Sequence, residues 1–163
     1  MLIISAVLIF QLAQANPLPI DIDTVLSSRF PGWEWGVVGA DVKRFYRESH
    51  GREYPKFISG DFNGDGKTDY ALKVQCNGKK GNTDVVIAFV SKDSNFLVFV
   101  LKTSSANYEN YVTLEKRGSR VYDFGTDKEF VLRSDAVNLA HFEKAVETFI
   151  FKTNRFERII TGD

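Results

Sequence analysis

Residues 85–101 read VVIAFVSKDSNFLVFVL, two apolar runs of six separated by five polar residues. Each run, 85–90 and 96–101, is short for a core helix and rich in β-branched and aromatic side chains. That composition suits strands covered on both faces. The polar break Ser91-Lys92-Asp93-Ser94-Asn95 is turn chemistry, so the runs are expected to pair as a hairpin at the centre of the core.

Strand patterns continue outward from this hairpin. Upstream, Phe57-Ile58 leads into an Asp- and Gly-rich segment, and Tyr70, Leu72, Val74 and Cys76 then alternate on one face. Gly78-Lys79-Lys80-Gly81 lacks the spacing of a phosphate-binding loop and reads as a solvated turn. Downstream, 110–115 and 128–133 carry weaker strand patterns. Segments 147–152 and 155–160 flank Thr153-Asn154 as a second hairpin, because Asn tolerates the positive φ of a two-residue turn. One helix is expected over 21–30, where Ile22, Val25, Leu26 and Phe30 share a face. Asp21 or Asp23 serves as its N-cap, Pro31-Gly32 ends it, and strand-like sequence resumes from Trp35. The expectation is a mainly β fold with minor α: an antiparallel sheet or sandwich of hairpins, in one domain over 16–163.

Composition supports a single globular domain. The chain has 163 residues, 44% of them apolar, with 14 Phe, which excludes a disordered chain. Its 21 basic and 21 acidic side chains leave no net charge, against a nucleic-acid-binding surface. A single cysteine, Cys76, excludes a disulfide scaffold or a Cys-rich zinc module and reads as a small packing residue. The first fifteen residues, MLIISAVLIFQLAQA, carry no charge and end in a small-x-small triplet, the form of a signal peptide cleaved before Asn16. At that length the segment falls short of the ~20 residues that span a bilayer. A secreted or periplasmic protein without a transmembrane anchor in the mature chain is expected.

Chemistry concentrates in 61–72, DFNGDGKTDYAL. Oxygen-bearing side chains stand at loop positions 1, 3, 5 and 9: Asp61, Asn63, Asp65 and Asp69. Gly66 at position 6 permits a sharp turn, and Lys67 at position 7 offers its carbonyl. Calcium takes six to eight hard oxygen ligands, and alternate spacing lets such side chains converge as the chain curls. Magnesium dehydrates too reluctantly for an all-protein cage. Leu72 stands where an EF-hand places its bidentate Glu, and the flanks read as strands, so an EF-hand is excluded.

This pattern, Asp61-x-Asn63-x-Asp65-Gly66-x-x-Asp69 between two strands, resembles the calcium loop of FG-GAP/VCBS-type repeats, found in integrin α propellers and many exported bacterial proteins. The resemblance covers about a dozen residues and implies side-chain ligand roles for Asp61, Asn63, Asp65 and Asp69, and a carbonyl role for Lys67. The loop occurs once, whereas a propeller repeats it. The tail, with Asp135 followed by Glu143 and closing on Thr161-Gly162-Asp163, resembles that of small exported bacterial-type proteins with a single such loop, a likeness that implies no function.

No other constellation carries chemistry. His50 and His141 lie far apart without a metal-binding spacing and read as surface residues, and no nucleophile elbow is present. Trp33 and Trp35, with Tyr46 and Tyr54, are candidates for an aromatic platform for a glycan or peptide, or caps of the core. Phe142, Phe149 and Phe151 follow packing periodicity. The function expected is an exported calcium-binding module, the ion structural, binding an envelope or extracellular protein or glycan without catalysis. The alternative is a secreted hydrolase acting on an envelope polymer through carboxylates the sequence does not single out.

Overall fold

The 85–101 hairpin forms as β4 (Gly81–Lys92) and β5 (Asn95–Ser105), paired antiparallel from Thr83↔Ser105 to Lys92↔Asn95. These come from a computed structural model describing residues 18–78 and 81–162; the leader expected over 1–15 lies outside them, as do Lys79 and Lys80. The strands run further than the apolar patterns, leaving Asp93 (φ 53°) and Ser94 to make the turn. Only β4 is central: residues 85–90 are all buried, whereas β5 is the sheet edge and alternates between exposed and half-buried.

On its other side β4 pairs β3 (Asp69–Gly78). Along the far edge of β3 lie β2 (Phe57–Gly60) and the short β1 (Glu34–Trp35), paired end to end with it. A second antiparallel sheet has the order β11-β10-β9-β6, from β6 (Asn110–Glu115), β9 (Ala136–His141), β10 (Val146–Lys152) and β11 (Arg155–Gly162). The β10–β11 turn is Thr153-Asn154, both at positive φ as the twist of a tight hairpin demands. A separate hairpin, β7 (Arg120–Asp123) and β8 (Lys128–Val131), was only half visible in the sequence pattern, as 128–133.

Alternation assigns the faces. Ala71, Val86 and Ala88 of the first sheet pack with Val112, Val137, Leu139 and Phe149 of the second, forming the core between the sheets. The intervening Leu72, Val74, Val85, Ile87 and Phe89 turn outward beneath Ile22 and Leu26 of α1 (Ile20–Arg29). Half-buried Cys76 joins this second cluster as a packing residue. Neither Asp21 nor Asp23 caps α1: Pro19 is its N-cap, and both acids fall in the first turn, where they complement the helix dipole.

A second helix, α2 (Ala40–His50), stands where the sequence reading continued in strand. Val42 and Tyr46, one helical turn apart, pack with Tyr54, Tyr111 and Ala140 against the second sheet. Seven of its eleven residues are charged or polar on the remaining face, so a single narrow apolar stripe defines it. The fold is mainly β with minor α, a two-sheet antiparallel sandwich with helices on its outer faces.

Candidate functional site

The 61–69 loop joins β2 to β3 and is anchored from below. Phe62, at position 2, is fully buried in the core between the sheets. Asp69 is equally buried; its carboxylate accepts the Phe62 N–H and the Ser91 N–H, each at 2.7 Å. Burial pushes the Asp69 carboxyl above its ordinary range, and the backbone donors only partly offset it. Asp69 thereby ties the loop to the end of β4, and Ser91 reinforces this through its hydroxyl on the Thr68 carbonyl at 2.5 Å.

Above these anchors the loop curls around its own side chains. Asp61 accepts from Gly64 N–H (2.7 Å) and Asp65 N–H (3.0 Å) on Oδ1, and from Gly66 N–H (2.9 Å) on Oδ2. The Asn63 amide donates to Asp65 Oδ2 at 3.0 Å, and Asp65 Oδ1 accepts the Lys67 N–H at 2.8 Å. That backbone donor, with Asn63, holds the exposed Asp65 carboxyl below its usual value. Gly66 sits at φ 81° and Gly64 at φ 79°, the left-handed region that lets the chain reverse twice in three residues.

The structure brings Asp61, Asn63 and Asp65 together at the exposed rim, and places Asp69 beneath them facing the interior. Among the described residues no group of three or more His, Cys, Asp or Glu side chains converges to hold an ion. The donor chemistry nevertheless fits a hard cation. Every side chain of the set offers oxygen, and a carboxylate keeps lone pairs beyond the N–H bonds it accepts. Among the described residues no Lys, Arg or His lies within ion-pair distance of Asp61, Asp65 or Asp69. Three acids with no cationic partner are electrostatically open to one.

One residue supports the loop in a way that the sequence reading, which noted it only in the tail, did not assign. Asp135 lies 74 positions downstream, yet its Oδ2 accepts the Asp61 N–H (3.1 Å) while its own N–H donates to the Asp61 carbonyl (3.0 Å). Burial pushes the Asp135 carboxyl up, but the Arg117 and Asp61 N–H groups and the Lys116 ammonium outweigh it, leaving the carboxyl low. This reciprocal pair binds the loop to the connection between β8 and β9. Only the three-dimensional pairing reveals it; an isolated acid before a strand carries no such signal.

His141 is not the surface residue expected. It is half-buried between the sheets, Nε2 on Glu147 Oε1 and Nδ1 on Asn110 Oδ1, both 2.8 Å. Glu147 is also held by Lys102 (3.1 Å) and Arg158 (2.9 Å). Burial raises its carboxyl, but these three partners prevail and the net direction is down. His50 is exposed and stacks on Tyr46, ring centroids 4.1 Å apart.

In class, this is a two-sheet antiparallel sandwich with one Asp-rich hairpin loop braced to both sheets. No protein-family model, no curated protein and no solved structure matches the chain.

Proposed function

We propose that this chain is an exported calcium-binding β module in which the ion, held at 61–69, serves structure, and which acts by binding an envelope or extracellular partner. The observation that carries this reading is the loop itself: oxygen donors Asp61, Asn63 and Asp65 gathered without any cationic partner, on a backbone already tied to both sheets. The likeness to single FG-GAP/VCBS-type loops supports the same ion, with Asp69 and the Lys67 carbonyl completing the set. The ion's chemistry would be neutralisation of the clustered carboxylates and fixation of the bend.

One carboxylate pair in a groove is a poor candidate for acid catalysis. A general acid needs a raised pKa, whereas Asp123 and Glu157, which share the groove beside β8 and β11, are both held low: Asp123 first by the Thr126 hydroxyl, Glu157 first by Lys152.

The test is calorimetry of the chelator-stripped mature protein with calcium and with magnesium. One calcium site with Kd of ~10⁻⁴–10⁻³ M, typical of extracellular modules, is expected, and calcium at ten times Kd adds about 1.4 kcal/mol of stability. Asp65→Ala should weaken the site. Absence of heat with calcium, or wild-type affinity in that variant, refutes the reading. Mass spectrometry of exported protein should begin at Asn16; an intact Met1 refutes the leader.

A further inference from the structure

Away from the loop, a cavity of about 360 Å³ opens between β1, the residues after it and α2. None of residues 61–69 lines it, so it stands whether or not the loop holds calcium. Its volume falls in the range of small-ligand sites. Two of the aromatic residues that the sequence singled out, Trp35 and Tyr54, come together in its wall, while Trp33 stacks edge-on against Trp35 at 5.2 Å.

The lining carries an excess of positive charge. Lys43, Lys56 and Lys73 face Glu53 as the one acid. Lys73 is satisfied by Asp84, and Glu53 is engaged by Arg47 at 3.2 Å. Lys43 and Lys56 have no carboxylate within ion-pair distance among the described residues. The Lys56 ammonium sits over the Trp35 ring, 5.4 Å from its centroid, so a flat hydrophobic surface and a free cation share one corner. The Tyr54 hydroxyl accepts the Val112 N–H at 3.0 Å, which leaves its own proton for another acceptor. Burial holds that proton firmly, pushing the phenol up to about 12.

We propose that this cavity binds a uronate, a sugar ring carrying a carboxylate, with Lys43 and Lys56 taking the carboxylate, Trp35 the ring face and Tyr54 a ring oxygen. Two uncompensated ammonium groups select an anion. A stacking surface beside Tyr54, whose hydroxyl still has a proton to donate, selects a ring that bears oxygens over an unsubstituted aromatic acid, which would leave that donor unmatched.

The test is a ¹H–¹⁵N NMR titration of the whole mature protein with sodium glucuronate, glucose and benzoate in parallel, with and without calcium. Glucuronate should shift the Trp35 indole N–H and the Gly36, Val38 and Tyr54 amides saturably. Glucose at equal concentration should leave them in place. Lys43→Gln with Lys56→Gln should weaken binding about tenfold or more while leaving the amide dispersion native, both side chains being exposed. No saturable shift with glucuronate, an equal response to glucose, or wild-type affinity in the double variant overturns the proposal. Benzoate binding as tightly as glucuronate overturns the sugar assignment. Glucuronate binding that persists under chelation, with the loop silent to calcium, upholds the cavity while refuting the metal site.

Discussion

Replacing Lys73 by Met isolates a buried cation held by one carboxylate and three backbone carbonyls. Lys73 lies on the inner face of β3, its side chain 2% exposed, beside the equally buried Asp84 at 3.3 Å. Its ammonium donates to three backbone carbonyls, of Val37 (2.8 Å), Asn107 (3.0 Å) and Asn110 (2.9 Å). One cation thus joins the strand to the α2 approach and to the β5–β6 connection. Met keeps the aliphatic stem and removes only the charge and donors. Breaking one partner of a buried pair costs about 3–5 kcal/mol, since the other charge stays buried. Asp84 keeps donors in Asn107 N–H (2.9 Å) and Gln75 (3.3 Å), which places the loss toward the lower half of that range. For a domain of this length, each kcal/mol lowers Tm by about 2–4 °C, so a fall of about 6–15 °C is expected, with an unchanged urea m-value. Adding Asp84→Asn should recover about 1–2 kcal/mol through coupling of the pair. A loss under about 1 kcal/mol, or strict additivity in the double variant, refutes the assignment of Lys73 as a charged clamp.

Asp61→Ala uncaps three N–H groups at an exposed bend and should cost about 1 kcal/mol in EDTA, while abolishing the stabilisation by calcium; an undiminished calcium response in thermal melts removes Asp61 from the ligand set. Glu147 is held below its ordinary 4.5 by His141, Lys102 and Arg158, so its contribution is present above that value and lost as pH falls through the depressed one; urea midpoints should stay level from pH 7 to 5 and drop below 4.5, less steeply in Glu147→Gln. Gly60→Ala would place a Cβ 2.7 Å from Asp135 Oδ2 and 3.0 Å from Leu114 Cδ1; a loss of about 1–3 kcal/mol is expected, and a neutral result in denaturation contradicts the close approach. Chelation should quicken amide exchange at 133–136 and 91–94 before α1; uniform acceleration or none counts against the loop's ties.

Strand identity was readable wherever burial on one or both faces left a period. The 85–90 run, the alternation from Tyr70 to Cys76 and the Thr153-Asn154 turn all appear in the structure. What escaped was set by partners distant in sequence. The polar surface of α2 hides a stripe of Val42 and Tyr46, while its stop signal, Gly51 at φ 65° capping Arg47, is a single residue. β9 carries Asn138, whose amide finds Glu115 and whose carbonyl takes the Thr148 hydroxyl, so its burial depends on bonds no local pattern foretells. Asp61, Asn63, Asp65 and Gly66 were legible as one loop because the turn they form is local; Asp135, noted only in the tail, could not be joined to that loop because its tie to Asp61 spans 74 residues.

The loop's ties reach residues of both sheets. An ion bound only by the folded loop stabilises the native state by mass action wherever it sits. What it protects locally depends on which contacts open with the loop. Phe62 inserts between the sheets, Asp69 reaches Ser91 at the end of β4, and Asp61 pairs reciprocally with Asp135 ahead of β9. The loop can unbend only by withdrawing Phe62 from the core or by leaving buried Asp69 without its N–H donors, both costly steps. Two clustered carboxylates at the rim pull toward that unbending by mutual repulsion, and a bound divalent ion would reverse the sign of that term. The anchors below the bend therefore fix its shape, and an ion held above it, as proposed, would oppose the opening that the carboxylates favour.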